Sequence, residues 1–133
     1  MIQPSSDTLY ISLAEAPLLP PPCFQCNSPS RRYVTRSSNL NGNASRPYYK
    51  CIKCPKFLCF ADQRGNVTNN PPCQCGKSSK FQVAGWTNRQ PGGLHLVCRM
   101  GACGYYSSVV DQNGEQKVLS REEMNLWMSV GRV

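Results

Sequence analysis

Nine cysteines constrain this 133-residue chain more than any other feature, because they arrive in pairs. Cys23-x2-Cys26 is followed after 24 residues by Cys51-x2-Cys54, with Cys59 a little beyond; Cys73-x-Cys75 is followed after 22 residues by Cys98-x4-Cys103. A close pair forms a knuckle that offers two sulfurs to one ion. The long interval lets the chain run out and return as a hairpin before delivering the second pair. The pattern is that of two structural zinc sites, each of four thiolates.

A second alignment indicates which cysteine is spare. Cys54 precedes Asp62-Gln63-Arg64-Gly65 by eight residues, and Cys103 precedes Asp111-Gln112-Asn113-Gly114 by the same eight. Superposing the copies assigns Cys23, Cys26, Cys51 and Cys54 to one zinc and Cys73, Cys75, Cys98 and Cys103 to the other. Cys59 then falls inside a strand as a buried thiol. The competing assignment replaces Cys54 with Cys59.

Composition explains why metal is needed. Eleven prolines and ten glycines leave few long apolar runs. Units of roughly 40–50 residues bury too little surface to offset the entropy of ordering their backbone without a metal or disulfides. Disulfides are the alternative use of these cysteines, and they belong to oxidising compartments. The opening segment MIQPSSDTLYISLAEAPLLPPP has no Lys or Arg, and Asp7, Glu15 and Pro17 interrupt any apolar run. It does not read as a signal peptide, and nothing approaches the ~18 apolar residues of a membrane span. The expectation is a soluble, intracellular protein, nuclear in location, with reduced cysteines.

Formal charge is +8 and unevenly placed: residues 23–70 carry eight basic side chains against one acid, and residues 71–110 carry four basic side chains and no acid. Each tetrathiolate zinc site contributes a net charge of about −2, so two sites halve the excess. A basic middle suits nucleic acid or another acidic surface.

The expected fold class is all-β, small and zinc-stabilised: two tandem three-stranded antiparallel ribbons and a short C-terminal helix. Strands are expected at Arg32–Ser37, Pro47–Cys51 and Lys56–Ala61, then at Lys80–Thr87, Leu94–Cys98 and Tyr105–Val110, all rich in aromatic and β-branched residues. The division is an extension at 1–22, a first unit at 23–70, a second at 71–118 and a helix at 119–133. Gln63–Pro72 reads as a linker. Thr8–Leu13 alternates as an edge strand would, available to a zinc sheet or to a partner. Ser120 and Glu123 form a capping box, with Leu119 and Met124 placed as a hydrophobic staple. Met124, Trp127 and Met128 then mark one helical face, ending near Gly131. That face either packs on the second unit or binds a partner protein.

The segment Asn43-Ala44-Ser45-Arg46-Pro47-Tyr48-Tyr49-Lys50-Cys51 resembles the N-x-G-R-x-F-Y-x-C core of GRF-type zinc fingers. Cys54-Pro55-Lys56-Phe57-Leu58-Cys59 sits where that family has C-x-F-F-x-W. In the second copy, Cys73-Gln74-Cys75-Gly76, Gly92, Cys98 and Cys103-Gly104-Tyr105-Tyr106 match its opening, its glycine, its third cysteine and its C-x-F-F. The resemblance spans residues 23–110 and is closer to divergent GRF-like ribbons. Family members occur as appendages on DNA topoisomerases, repair glycosylases and AP endonucleases, where small claw-shaped sheets grip single-stranded nucleic acid. The resemblance therefore implies that Arg46 is the basic residue of the grip, with Lys50, Lys53, Tyr48 and Tyr49 nearby. There are departures: Ser45 replaces the glycine and Cys59 the tryptophan. In the second copy Gly93 stands for the arginine, Gln90 for the asparagine, and His95 and Leu96 for the aromatic pair. The second unit is accordingly structural or a protein-binding module.

Catalysis is not expected. A four-sulfur site leaves zinc no open position for water or substrate. The chain has one histidine, His95, and no G-x-S-x-G, H-E-x-x-H or P-loop pattern. Binding to single-stranded DNA or RNA without sequence preference is the leading expectation. Arg31, Arg32, Arg36, Arg46, Lys50, Lys53 and Lys56 would track phosphates while tyrosines stack on unpaired bases. Strand alternation places Tyr48 and Tyr49 on opposite faces, so one binds and the other is core. The alternative is a protein-interaction adapter in a nuclear or chromatin assembly, using the N-terminal strand or the C-terminal helix.

Overall fold

The computed structural model describes residues 11–85 and 91–133. Three short strands, β1 (Ser30–Val34), β2 (Pro47–Cys51) and β3 (Phe57–Phe60), make one antiparallel sheet in the order β1-β2-β3. β4 (Lys80–Val83), β5 (Leu94–Val97) and β6 (Tyr106–Ser108) make a second sheet of the same order. Helix α1 (Arg121–Ser129) closes the chain. Two three-stranded sheets and one short helix are the architecture expected from the cysteine map.

The boundaries differ in places. β1 begins at Ser30 and ends at Val34, because Thr35 leaves the β2 register to exchange backbone bonds with Ser45 and Arg46. β4 ends at Val83; the far end of the expected strand, together with Gln90, lies outside the described residues, as do residues 8–10 of the expected N-terminal strand. The described end of that strand joins neither sheet. Leu13 makes a single antiparallel bridge to Val67, supported by bonds from Ala14 N to the Asn66 carbonyl and from Thr68 N to the Ser12 carbonyl.

The stretch read as a linker is instead a packed junction. Asn66 is fully buried, and its amide nitrogen donates to the carbonyls of Ala14, Glu15 and Asp62 at 3.2–3.4 Å. Asn70 donates to the carbonyls of Gly65 and Ser79. Gly65 N donates to the Gly131 carbonyl and the Gly65 carbonyl accepts from Phe81 N, tying the segment to the helix end and to β4. Gly65 has φ +82, and a Cβ there would lie 2.3 Å from the Phe81 carbonyl oxygen, so only glycine fits.

Two small cores result. One gathers Cys23, Tyr49, Cys51, Leu58 and Cys59; the other gathers Leu94, Leu119, Met124 and Val133, flanked by Phe81, Val83, Trp127 and Met128. The capping box forms as expected: Ser120 Oγ accepts from Glu123 N and Glu123 Oε1 accepts from Ser120 N, both at 3.1 Å. Leu119 and Met124 are both buried, so the helix spends its apolar face on the second sheet.

Between the cores lies a buried ionic hub. Asp62 receives Arg46 Nε and Nη2, each at 2.8 Å, and the Lys80 ammonium at 3.3 Å. Lys80, wholly enclosed, also donates to the Asp62 carbonyl and to Asn66 Oδ1. Burial would raise the Asp62 pKa; the bond from Arg46 and the field of Lys80 override it and hold the carboxyl below its ordinary value. Arg46 belongs to the first unit and Lys80 to the second, so one carboxylate fastens both.

Removing that carboxylate leaves two buried cations facing each other. We predict that Asp62→Asn lowers stability by about 3–5 kcal/mol in denaturant unfolding; a loss under about 1 kcal/mol would show the hub to be dispensable. A second prediction concerns pH. Burial pulls Lys80 down to about 8, offset only in part by Asp62, whereas in the unfolded chain it returns to about 10.4. Between these values the unfolded chain binds more protons, so this group's contribution to stability rises with pH, by at most about 1.4 kcal/mol per pH unit. Wild type should therefore gain stability relative to Lys80→Met between about pH 8 and pH 10. A difference that stays flat or shrinks over that range contradicts the assignment.

Candidate metal centres and an exposed aromatic face

The structure gathers eight of the nine cysteines into two clusters. Cys23, Cys26, Cys51 and Cys54 form one, and Cys73, Cys75, Cys98 and Cys103 the other, with all four sulfurs of each set within 4.8 Å of one another. All nine are free thiols rather than disulfides. In the first cluster Sγ–Sγ separations are 3.4 Å (Cys26–Cys51), 3.6 Å (Cys23–Cys54) and 3.8 Å (Cys26–Cys54). Four sulfurs at about 2.3 Å from a tetrahedral zinc are about 3.8 Å apart, so the cage fits that ion.

Local backbone builds each cage. Lys53 N and Cys54 N donate to Cys51 Sγ at 3.4 Å; Cys75 N donates to Cys73 Sγ at 3.3 Å, and Ala102 N to Cys98 Sγ at 3.4 Å. Amides aimed at sulfur favour the thiolate that a metal requires. The residue after each first knuckle turns left-handed: Asn27 has φ 60 and Gly76 φ 79. Asparagine and glycine tolerate this best.

Cys59 belongs to neither cluster. It is completely buried in β3, beneath Gly101, whose added Cβ would meet Cys59 Sγ at 2.9 Å. Burial pushes its thiol up to about 12. A neutral, enclosed thiol is a packing group and a poor nucleophile.

The first sheet has two unlike faces. Tyr49 is buried and its hydroxyl donates to the Pro17 carbonyl at 2.9 Å. Tyr48 points the other way and stacks on Tyr33 (5.6 Å between centroids), with Phe57 and Phe60 at 5.6 and 6.5 Å. Lys50 reaches over Tyr33 at 4.9 Å, and Arg31, its cross-strand partner, shares this face. Arg36 lines the same groove, a shallow depression of about 560 Å³ that runs past Asn43, Tyr48, Lys50 and Phe57. Lys53 is exposed on the Cys51–Cys54 knuckle, outside the groove.

Arg46 departs from the expectation that it grips a ligand. It is buried, and its guanidinium pairs with Asp62, bonds Asn43 Oδ1 at 3.0 Å and lies 3.7 Å over the Phe60 ring. Its guanidinium is committed inside the protein, so it supports the aromatic face from behind. Tyr49 likewise leaves the binding set for the core. Phe57 and Phe60 enter the face, although residues three apart should point to opposite sides of a strand. A register shift at Tyr49/Lys50 brings both to the Tyr48 side, while Leu58 and Cys59 go inward.

The second unit lacks this arrangement. Gly93 occupies the place of Arg46, and Asp111 turns its carboxylate to its own loop, accepting from Asn113 N and Glu115 N. His95 stacks on Tyr106 at 4.8 Å where the first sheet has its aromatic row.

Residues 20–64 match the family model of the GRF-like zinc ribbon domain. No curated protein and no solved structure matches the chain. The first unit is thus a GRF-like zinc ribbon domain, and the second four-cysteine cluster downstream points to a tandem arrangement. Ser45, which replaces the glycine of the family core, adopts φ 61, the conformation that explains why glycine is usual there. Among the described residues no helix is long and apolar enough to cross a membrane.

Two zinc ions per chain are expected by native mass spectrometry. Cys26→Ser or Cys75→Ser should each remove one zinc and unfold mainly its own sheet, whereas Cys59→Ser should retain both. Loss of an ion from Cys59→Ser would overturn the assignment.

Proposed function

We propose that this protein binds single-stranded nucleic acid, with little sequence preference, through the open face of its first sheet. One observation carries the reading: a half-exposed row of rings, Tyr33, Tyr48 and Phe57, runs along the sheet face that carries Arg31 and Lys50, and its Tyr48 and Phe57 end opens into the groove lined by Arg36 and Lys50. Unpaired bases stack on such rings whatever their identity, and the cations follow the backbone. Duplex DNA hides its base faces, so a flat aromatic platform selects unpaired strands. The zinc sites hold the sheet and take no part in chemistry, since four thiolates leave no open position; the protein acts as a binding module, within nucleic-acid metabolism in the nucleus.

The adapter reading has less to stand on. The helix face it would use is covered by Phe81, Leu94 and Val83.

Binding should weaken linearly on a log–log plot against salt. Lys50→Ala is expected to flatten the slope by about 0.7, and Tyr48→Ala to cost about 1–3 kcal/mol of affinity for a short oligothymidylate. Arg46→Ala is unsuitable here, because it breaks the buried hub. Zinc-loaded protein that binds no single strand, or binds one independently of salt, refutes the proposal.

A further inference from the structure

A second recess lies between the two zinc units. It has a volume of about 250 Å³ and is bordered by Phe24, Lys56 and Phe57 from the first unit and by Gln82, Tyr105 and Tyr106 from the second. Three features set it apart from an ordinary seam. Phe57 lines both this cleft and the groove on the first sheet, so the two recesses adjoin at one ring. Phe57 and Tyr106, 40% and 62% exposed, both border this gap. Third, Gln82 Nε2 is shut off from solvent and has no hydrogen-bond partner.

An enclosed amide donor without an acceptor is costly, on the order of 1–3 kcal/mol, and such groups are rare in folded proteins. His95, paired with Gln82 across the strands, likewise has an enclosed Nδ1 without a partner, and the two do not bond each other; a ligand entering the cleft is one source of the missing acceptor. That acceptor must arrive on a group that tolerates rings, and in a place of positive potential, for Lys56 stands at the mouth with its ammonium 5.3 Å over Phe24. A planar heterocycle with acceptor atoms on its edge, attached to an anionic backbone, meets all three demands. Tyr106 is itself held in place by His95, stacked behind it at 4.8 Å.

We infer that the cleft between the units receives one unpaired nucleobase from a single strand lying on the first sheet, with Gln82 donating to the base edge, Phe57 and Tyr106 flanking the ring, and Lys56 meeting the adjoining phosphate. This inference rests on the proposed single-strand binding and extends it to the second unit. The tandem arrangement then has a function beyond stability: the second sheet supplies one wall and the polar contact.

The test is a titration of the zinc-loaded full chain, by fluorescence anisotropy at fixed salt, against a short oligothymidylate and against a strand of abasic sites of equal length. Wild type should prefer the thymidylate. Gln82→Leu should reduce that preference about three- to tenfold, the worth of one hydrogen bond, while leaving abasic affinity unchanged. Tyr106→Ala, at a ring that is 62% exposed, should reduce it too, and decides the matter should Gln82→Leu fold poorly. Retention of the full wild-type preference by folded variants overturns the cleft assignment alone. Failure of wild type to bind either strand overturns both this inference and the function on which it rests.

Discussion

A four-sulfur cage joins residues that are about thirty positions apart and fixes them within a few ångströms, which is the work a hydrophobic interior does in larger domains. Neither core of this protein could manage it. Among the described residues the first gathers five buried residues, three of them cysteines, and the second four. Zinc binding in small modules supplies on the order of 10–16 kcal/mol of apparent free energy, which in such a chain is folding energy. Because metal anchors one end of each sheet, the remaining strands can be as short as three residues, and one face of the first sheet can stay open to solvent.

The cages do not by themselves explain how two ribbons become one body. That falls to the segment around Asp62–Asn70 and its buried charges. Arg46 from one sheet and Lys80 from the other converge on Asp62, while Asn66 and Asn70 satisfy backbone carbonyls on both sides. A buried ion pair is weak evidence for stability, since desolvation offsets much of the attraction. Its value here is positional. It forces one relative placement of the sheets, and that placement creates the cleft where Phe57 and Tyr106 border the same gap.

The two copies show how a repeat can diverge around a retained cage. Both keep four cysteines and a glycine turn with positive φ, at Gly65 and Gly114. The first copy keeps the arginine–aspartate pair and the aromatic row. The second has lost the arginine, its aspartate serves its own turn, and its sheet is covered on one side by the helix. A ribbon relieved of the open face can be spent on packing.

The sequence by itself determined the two sets of cysteines, the hairpin topology, the capped helix and the division of Tyr48 from Tyr49, because each follows from local rules: ligand spacing, turn residues, capping and strand alternation. What only the tertiary structure decided concerns partners distant along the chain. The family resemblance made Arg46 the gripping cation, and nothing in its own neighbourhood revealed Asp62, sixteen residues away, or the burial that comes with it. Phe57 and Phe60 escaped notice because period-two alternation separates them, and only a register shift against β2 unites them. Gln63–Pro72 looked like a tether because its asparagines and prolines are the residues of loops, yet those same amide groups suit a buried junction once carbonyls from both units surround them. Local chemistry is written in spacing; which charge meets which, and which surface remains open, depends on how separated segments pack.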